Sequence, residues 1–200
     1  MDLPLFQKYA RIFKEHGHSL YMVGGTSRDI LLGKMPSDFD FATDATPEEE
    51  KAFLPEADYD FAKFGSIKLK EQGIEVDITT FREEGEYLDF RHPSYIKFVT
   101  SPKKDSERRD FTVNALYING EGDVLDFHRG LDDLRCKVIR FIGNPYARVK
   151  EDPLRILRAE RFARRLGFSI EEESQKAMNE NRRLLEKLNP EKVKSEEKKG

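Results

Sequence analysis

The chain has 200 residues at 23.3 kDa, 36% charged and 38% hydrophobic, with a mean hydropathy of -0.71 but fifteen Phe and seven Tyr. That suits one ordinary domain with or without a helical extension and argues against disorder throughout. The net charge of -3 is uneven, with 12 Lys+Arg against 19 Asp+Glu in residues 1–100 and 23 against 19 in residues 101–200, so the first half holds a carboxylate excess whose meaning depends on position.

Residues 3–16 place Leu3, Leu5, Phe6, Tyr9, Ile12 and Phe13 at helical spacing, so an amphipathic helix is expected. Ser19–Val23 reads as a short buried strand, Gly24-Gly25 as a turn, and Ser27–Leu32 as a helix closed by Gly33. Phe39–Thr43 predicts a second strand, and Pro47–Phe53 a helix capped by Thr46. Gly65–Lys70 and Glu75–Phe81 alternate with period two around Gln72-Gly73, a hairpin signature. Arg82–Glu107 lacks a sustained period and is expected to be a long loop with a brief strand at Ile96–Thr100. The pattern then turns helical from Arg109 through Asn114, followed by a strand pair at Ala115–Tyr117 and Val124–Asp126. After Gly143 almost all is helix, over Pro153–Leu166 and Ile170–Leu188. The tail Glu191–Gly200, with Val193 as its one apolar residue, is expected to be frayed or disordered.

Two constellations carry chemistry. Two glycines between a strand and a helix let backbone approach an anion at the helix N-terminus, and Arg28 can add a bidentate phosphate contact, although a Gly-Gly pair alone is usually a plain turn. Asp38 and Asp40 are two apart on a strand and point to one side. Such a pair is most simply two solvated side chains, but apolar Phe39 and Phe41 imply a buried strand, and Glu75 or Asp77 on another strand can join it. Converging carboxylates are stable chiefly around a cation, and Mg²⁺ takes a few carboxylates plus substrate phosphates.

The blocks Val23-Gly24-Gly25-Thr26-Ser27-Arg28-Asp29, Leu31-Leu32-Gly33 and Asp38-Phe39-Asp40 resemble the head of the tRNA nucleotidyltransferase and bacterial poly(A) polymerase family, the class II branch of the polymerase-β-like nucleotidyltransferases. Four further blocks agree in order: Asp77–Arg82; Arg91-His92-Pro93; Arg108–Ala115; and Glu151–Ala163. The resemblance implies an α+β head with a mixed sheet of about five strands over 1–143, an all-helical neck over 144–190, and the tail 191–200. By the same resemblance Asp38 and Asp40 match the metal-binding pair, and Asp77 the third catalytic carboxylate. Gly24, Gly25, Arg28, Arg109, Asp110 and Asn114 match the nucleotide-binding motifs, and Asp152, Arg155, Arg158 and Arg161 the nucleotide-recognition helix. Spacing of three independently puts these last four along one slowly drifting helix face; without the upstream blocks they read as a solvated basic helix paired with Glu151 and Glu160.

The implied activity is template-independent transfer of CMP or AMP from CTP or ATP to the 3′-hydroxyl of an RNA, most simply a tRNA lacking its CCA end, by two-Mg²⁺ catalysis. Phe64-Gly65-Ser66-Ile67 resembles the segment of CCA-adding members more than that of polyadenylating ones, whereas Lys104-Asp105-Ser106 stands where members commonly show Glu-Asp-Leu. Poly(A) synthesis, partial CC- or A-addition, and a truncated nucleotide- or RNA-binding module are the alternatives. Members commonly continue into helices that grip tRNA, so a partner chain supplying them is conceivable. No run of about 18 apolar residues predicts a membrane helix, and the charges within MDLPLFQKYARIFKEHG argue against a signal peptide, so the expected location is cytoplasmic. Among other residues, His92 and His128 lack ligand spacing, Cys136 reads as a small buried residue, and Phe6, Phe13, Phe162 and Phe168 as core.

Overall fold

The computed structural model describes residues 3–87 and 93–198. Its elements run α1 (Pro4–Glu15), β1 (Leu20–Met22), α2 (Gly24–Leu31), β2 (Phe39–Thr43), α3 (Pro47–Glu50), β3 (Ser66–Glu71), β4 (Ile74–Thr80), β5 (Arg82–Glu84), β6 (Ile96–Phe98), α4 (Pro102–Glu107), β7 (Leu116–Ile118) and β8 (Val124–Asp126). There follow α5 (Gly130–Cys136), β9 (Val138–Ile139), α6 (Pro145–Glu151), α7 (Leu154–Leu166), β10 (Ser169–Ile170), α8 (Glu172–Asn181) and α9 (Pro190–Lys198). No described helix is long and apolar enough to cross a membrane.

Contacts divide the chain into two compact units, one of residues 1–83, 96–108 and 114–127, the other of 84–95, 109–113 and 128–200. This division falls elsewhere than the expected boundary at residue 143. In the first unit a six-stranded mixed sheet has the order β3-β4-β2-β1-β7-β8, one strand more than expected. Only β2 and β4 run parallel within it. Strand alternation sends Leu20, Met22, Phe39, Phe41, Val76 and Ile78 into one apolar cluster with Phe6 and Phe13 of α1, and Val23, Ala42 and Tyr117 into another with Phe81. Phe6 and Phe41 stack tilted at 5.1 Å between ring centres, and burying such rings supplies much of a core's stability.

The expected long loop contains more structure than its one brief strand. Within 82–107, β5 pairs with β6, and Ser101 caps α4 by accepting from the Lys104 amide. A buried carboxylate anchors this region: Asp105 accepts from the Tyr117 hydroxyl at 2.6 Å, Arg108 Nε at 2.8 Å and the Arg82 amide at 3.1 Å. Lys104, whose sign departs from the family pattern, lies 3.5 Å from Glu83. The helical reading of 109–114 reduces to a 3-10 turn at Thr112–Asn114, because Thr112 N donates to Arg140 O instead of continuing a helix.

The second unit adds α5 and the two-residue parallel pair β9/β10, neither of which has enough length to leave a periodic signal. Cys136, expected buried, ends α5 exposed to solvent. The helix expected over 170–188 is α8 followed by a 3-10 segment, Arg182–Lys187. Residues 190–198, expected frayed, form α9, which is held by polar rather than apolar contact: Glu196 is buried with its carboxylate 2.9 Å from Arg161. Phe162 and Phe168 are buried as expected.

Thr46 and Glu49 form a reciprocal capping box at the start of α3, which ends after a single turn rather than reaching Phe53. Glu50 closes that turn fully buried, and neither carboxyl oxygen has a hydrogen-bond partner among the described residues. Burial, reinforced by Glu49, pushes its carboxyl up to about 9. The folded chain therefore keeps a proton that an unfolded glutamate, titrating near 4.5, releases, so stability falls as pH rises across that window. Glu50→Gln is expected to remove a slope of up to about 1.4 kcal/mol per pH unit. Guanidinium unfolding of both proteins at a series of pH values measures it; parallel wild-type and variant curves would contradict the burial argument.

Candidate active site

The carboxylates of the first unit are placed by the sheet. β2 and β4 pair in parallel with Asp40 opposite Asp77, and β3 sets Lys68 opposite Asp77 on the other side. Residues opposite one another in a ladder share a face, so Asp40, Asp77 and Lys68 form one row, and Asp38 lies in the bend just before β2. Asp38 and Asp40 are exposed, and Asp77 is half-buried. Glu75, the alternative third carboxylate, lies two residues along β4, opposite Lys70 of β3 rather than level with Asp40. Lys68 Nζ stands 3.3 Å from Asp77 Oδ1, an oxygen with no hydrogen-bond partner of proper geometry among the described residues.

Helix α2 begins at Gly24, three residues before the expected start, so the glycine pair is its first turn rather than a preceding loop. Gly24 has φ +62, a backbone conformation that disfavours a side chain, after the extended Val23. A Cβ on Gly25 would lie 3.5 Å from Arg28 Nη2 and 4.0 Å from Asp40 Oδ2, so this glycine lies between the arginine and the carboxylate. Thr26 supplies a clamp that the motif contains but that was not singled out: its hydroxyl accepts from the Asp40 amide at 2.8 Å and donates to the Asp38 carbonyl at 3.3 Å. Arg28 is 2% exposed, its Nη1 donating to Asn114 Oδ1 at 2.7 Å and its Nε to Asp29 at 2.9 Å. It is thus fixed in place by Asp29 and Asn114 beside the glycines. Gly24, Gly25, Arg28, Asp38, Asp40, Asp77 and Asn114 all belong to this unit.

Among the described residues no three His, Cys, Asp or Glu side chains stand close enough together to form a metal cluster. Carboxylate oxygens are ligands that Mg²⁺ takes one or two at a time, alongside substrate oxygens and water.

The second unit holds Arg109, Asp110, Asp152, Arg155, Arg158 and Arg161. Asp152 does not lie on α7; it is the extended residue between α6 and α7, its carboxylate accepting from Leu154 N at 3.1 Å. Of the arginines of α7, Arg155, Arg158 and Arg161 each meet an acid. Arg155, 5% exposed, donates through Nη1 to Glu151 at 2.7 Å and to Arg148 O at 2.8 Å, and lies 5.5 Å from the Tyr87 ring centre. Arg158 pairs with Asp110, whose charge pushes the guanidinium pKa up. Arg161 pairs with Glu196, although burial outweighs that charge and pushes its pKa down. Glu160 pairs with Arg182, not with the recognition face.

Arg148 and Tyr87 lie outside the sequence motifs. Glu151 is shared by Arg148 at 2.6 Å and Arg155, and Arg148 Nη2 also donates to Arg109 O at 2.7 Å. Spacings of three and four around Glu151 signal that sharing. Burial raises the Tyr87 hydroxyl pKa to about 12, helped by its bond to Glu84. The block Arg91-His92-Pro93 has Arg91 and His92 outside the described residues.

The sequence profile of the poly A polymerase head domain matches residues 20–140. A CCA-adding enzyme of Streptococcus pyogenes is 44% identical over 189 residues, covering 94% of this chain and 46% of the relative; one of Bacillus pumilus is 41% identical over 183 residues, covering 91% and 46%. The chain thus spans about half the length of these relatives. The crystal structure of a Bacillus stearothermophilus CCA-adding enzyme in complex with CTP superposes with a TM-score of 0.87 at 34% identity, over 98% of this chain and 48% of that one. A tRNA nucleotidyltransferase complexed with a primer tRNA and an incoming ATP analog gives 0.71 at 37%, over 88% and 50%. Matched over more than half its length, the chain belongs to the poly A polymerase head domain family.

Proposed function

We propose that this chain carries the nucleotidyl-transfer centre of a CCA-adding tRNA nucleotidyltransferase, joining CMP or AMP from CTP or ATP to the 3′-hydroxyl of a tRNA. The observation that carries this reading is the row Asp40–Asp77 beside Gly25 and Arg28, carboxylates suited to a metal ion next to a helix start suited to phosphate. The names of the relatives, and of the structures holding CTP or a primer tRNA, support the same substrates.

Each residue's task follows from its chemistry. Asp38 and Asp40 would hold Mg²⁺, which when bound supplies Lewis acidity to the attacking hydroxyl and the departing pyrophosphate. Asp77, level with Asp40, is placed to complete that site or take the hydroxyl proton. The first-turn amides of α2 and the Arg28 charge, already fixed by Asp29 and Asn114, offset triphosphate charge without reorganising during the reaction. In the second unit Asp152 can accept from, and Arg155 donate to, the polar edge of cytosine or adenine. Arg155 Nη1 donates to Glu151 and to the Arg148 carbonyl, so the guanidinium plane is set before a nucleotide arrives.

The test is product sequencing. With Mg²⁺, tRNA lacking CCA is expected to gain C-C-A from CTP plus ATP and C-C from CTP alone. A long A tract from ATP alone would favour poly(A) synthesis. CTP binding without extension would favour a binding module, the reading that the half-length match leaves open.

A further inference from the structure

Phe61, Phe64 and Phe98 are left 50%, 44% and 36% exposed, although the fold buries most of its other aromatic rings. Singly exposed apolar side chains are ordinary, but these three belong together. Phe64 immediately precedes Gly65, and a Cβ at Gly65 would fall 2.7 Å from the Phe98 ring, so glycine is what allows that ring to lie against the chain here. Lysines attend the rings: Lys63 Nζ is 4.9 Å from the Phe64 centre, and Lys68 Nζ is 5.9 Å from that of Phe61. The same Lys68 stands opposite Asp77 in the ladder and 3.3 Å from its carboxylate. The patch of rings therefore begins one lysine side chain from the carboxylate row.

Exposed aromatic faces interleaved with lysines suit a single-stranded polyanion whose bases stack, better than an apolar protein surface, which the lysines would desolvate poorly. The Lys68–Asp77 pair is about half exposed on the lysine side, so it is weak and readily exchanged for a phosphate. We propose that Phe61, Phe64 and Phe98, with Lys63 and Lys68, form a stacking shelf that seats the unpaired 3′-terminal nucleotides of the acceptor RNA beside Asp77. This rests on the nucleotidyl-transfer reading. Because every base offers a stacking face, the shelf sets RNA affinity and leaves the choice of nucleotide to other residues.

The probe is a short single-stranded RNA ending in C-C with 2-aminopurine near its 3′ end. Binding to the chain is expected to quench its fluorescence by stacking. Phe61→Ala and Phe98→Ala are each expected to weaken binding roughly 10-fold and reduce the quench, within the range for one lost base–aromatic stack. Phe61→Tyr should bind as wild type, and Lys63→Ala should lower the salt dependence of log affinity by about one charge. Melting temperature and CTP affinity should not move, which separates the shelf from a structural role. Unchanged quench and affinity in both alanine variants, no binding by the wild type, or a dimer that dissociates in Phe61→Ala would each overturn the proposal. CMP incorporation by wild type with an unaltered RNA KM in the variants would sink the shelf alone. Stacking that depends on Phe61 without incorporation would sink the transfer reading alone.

Discussion

Asp40→Ala is expected to lower single-turnover incorporation of labelled CMP into tRNA lacking CCA by at least about 10³-fold, the scale of losing several kcal/mol of metal-borne charge stabilisation. Asp40 is exposed, sits level with Asp77, and its amide is held by Thr26, which anchors the backbone here whatever the side chain. Removing the side chain should therefore leave the fold in place, which the melting temperature without Mg²⁺ checks. CTP should still bind through groups that the substitution does not touch. A variant retaining a tenth of the wild-type rate would show that Asp40 is not a metal ligand of the reaction. Asp40→Asn provides the isosteric control and should be nearly as inactive, because an amide is a poor ligand for Mg²⁺.

Asp105→Ala is expected to produce the largest loss of stability, about 3–5 kcal/mol, as when one partner of a buried charged network is deleted. The carboxylate is fully buried and accepts from three donors on three segments: Tyr117 of β7, Arg108 at the end of α4, and the Arg82 amide where β5 begins. Its loss takes from the wholly buried Tyr117 hydroxyl the acceptor 2.6 Å away and from Arg108 its near carboxylate. Asp105→Asn keeps shape and one acceptor and should cost less. Thermal unfolding reads both, with a fall of about 10 °C expected for the alanine variant in a chain of this size. A change within two degrees would mean that the network is compensated by solvent.

The strand Phe39–Thr43 is legible in the sequence because its alternation of Phe and Asp is strong and local, and the hairpin at Gln72-Gly73 because turn and period agree. Asp38 and Asp40 are legible as a candidate pair for the same reason, whereas the preference for Asp77 over Glu75 comes from the family resemblance and not from the alternation. What escapes the sequence is either short or long-range. β9 and β10 are two residues each and pair in parallel across about thirty positions. The start of α2 is misplaced because Gly24 and Gly25 discourage a helical reading, whereas Val23 in extended conformation lets the helix begin at once. Helix α9 is missed because a search for apolar periodicity cannot see a helix anchored by Glu196 on Arg161. Arg155, Arg158 and Arg161 are legible as a basic face, and the Arg155–Glu151 pair as a spacing of four, but the pairing of Arg158 with Asp110 and of Arg161 with Glu196 needs three dimensions.

The parallel pairing of β2 with β4 has a further consequence. With side chains alternating at period two, a slip of one residue between these strands would carry Asp77 to the core side and bring Val76 or Ile78 out beside Asp40. What forbids the slip is the burial of Val76, Ile78, Phe39 and Phe41 beneath the sheet. The hydrophobic layer thus acts as a proofreader of the carboxylate row's alignment: a cavity cut there, with no polar atom altered, would show in the geometry of the row above it.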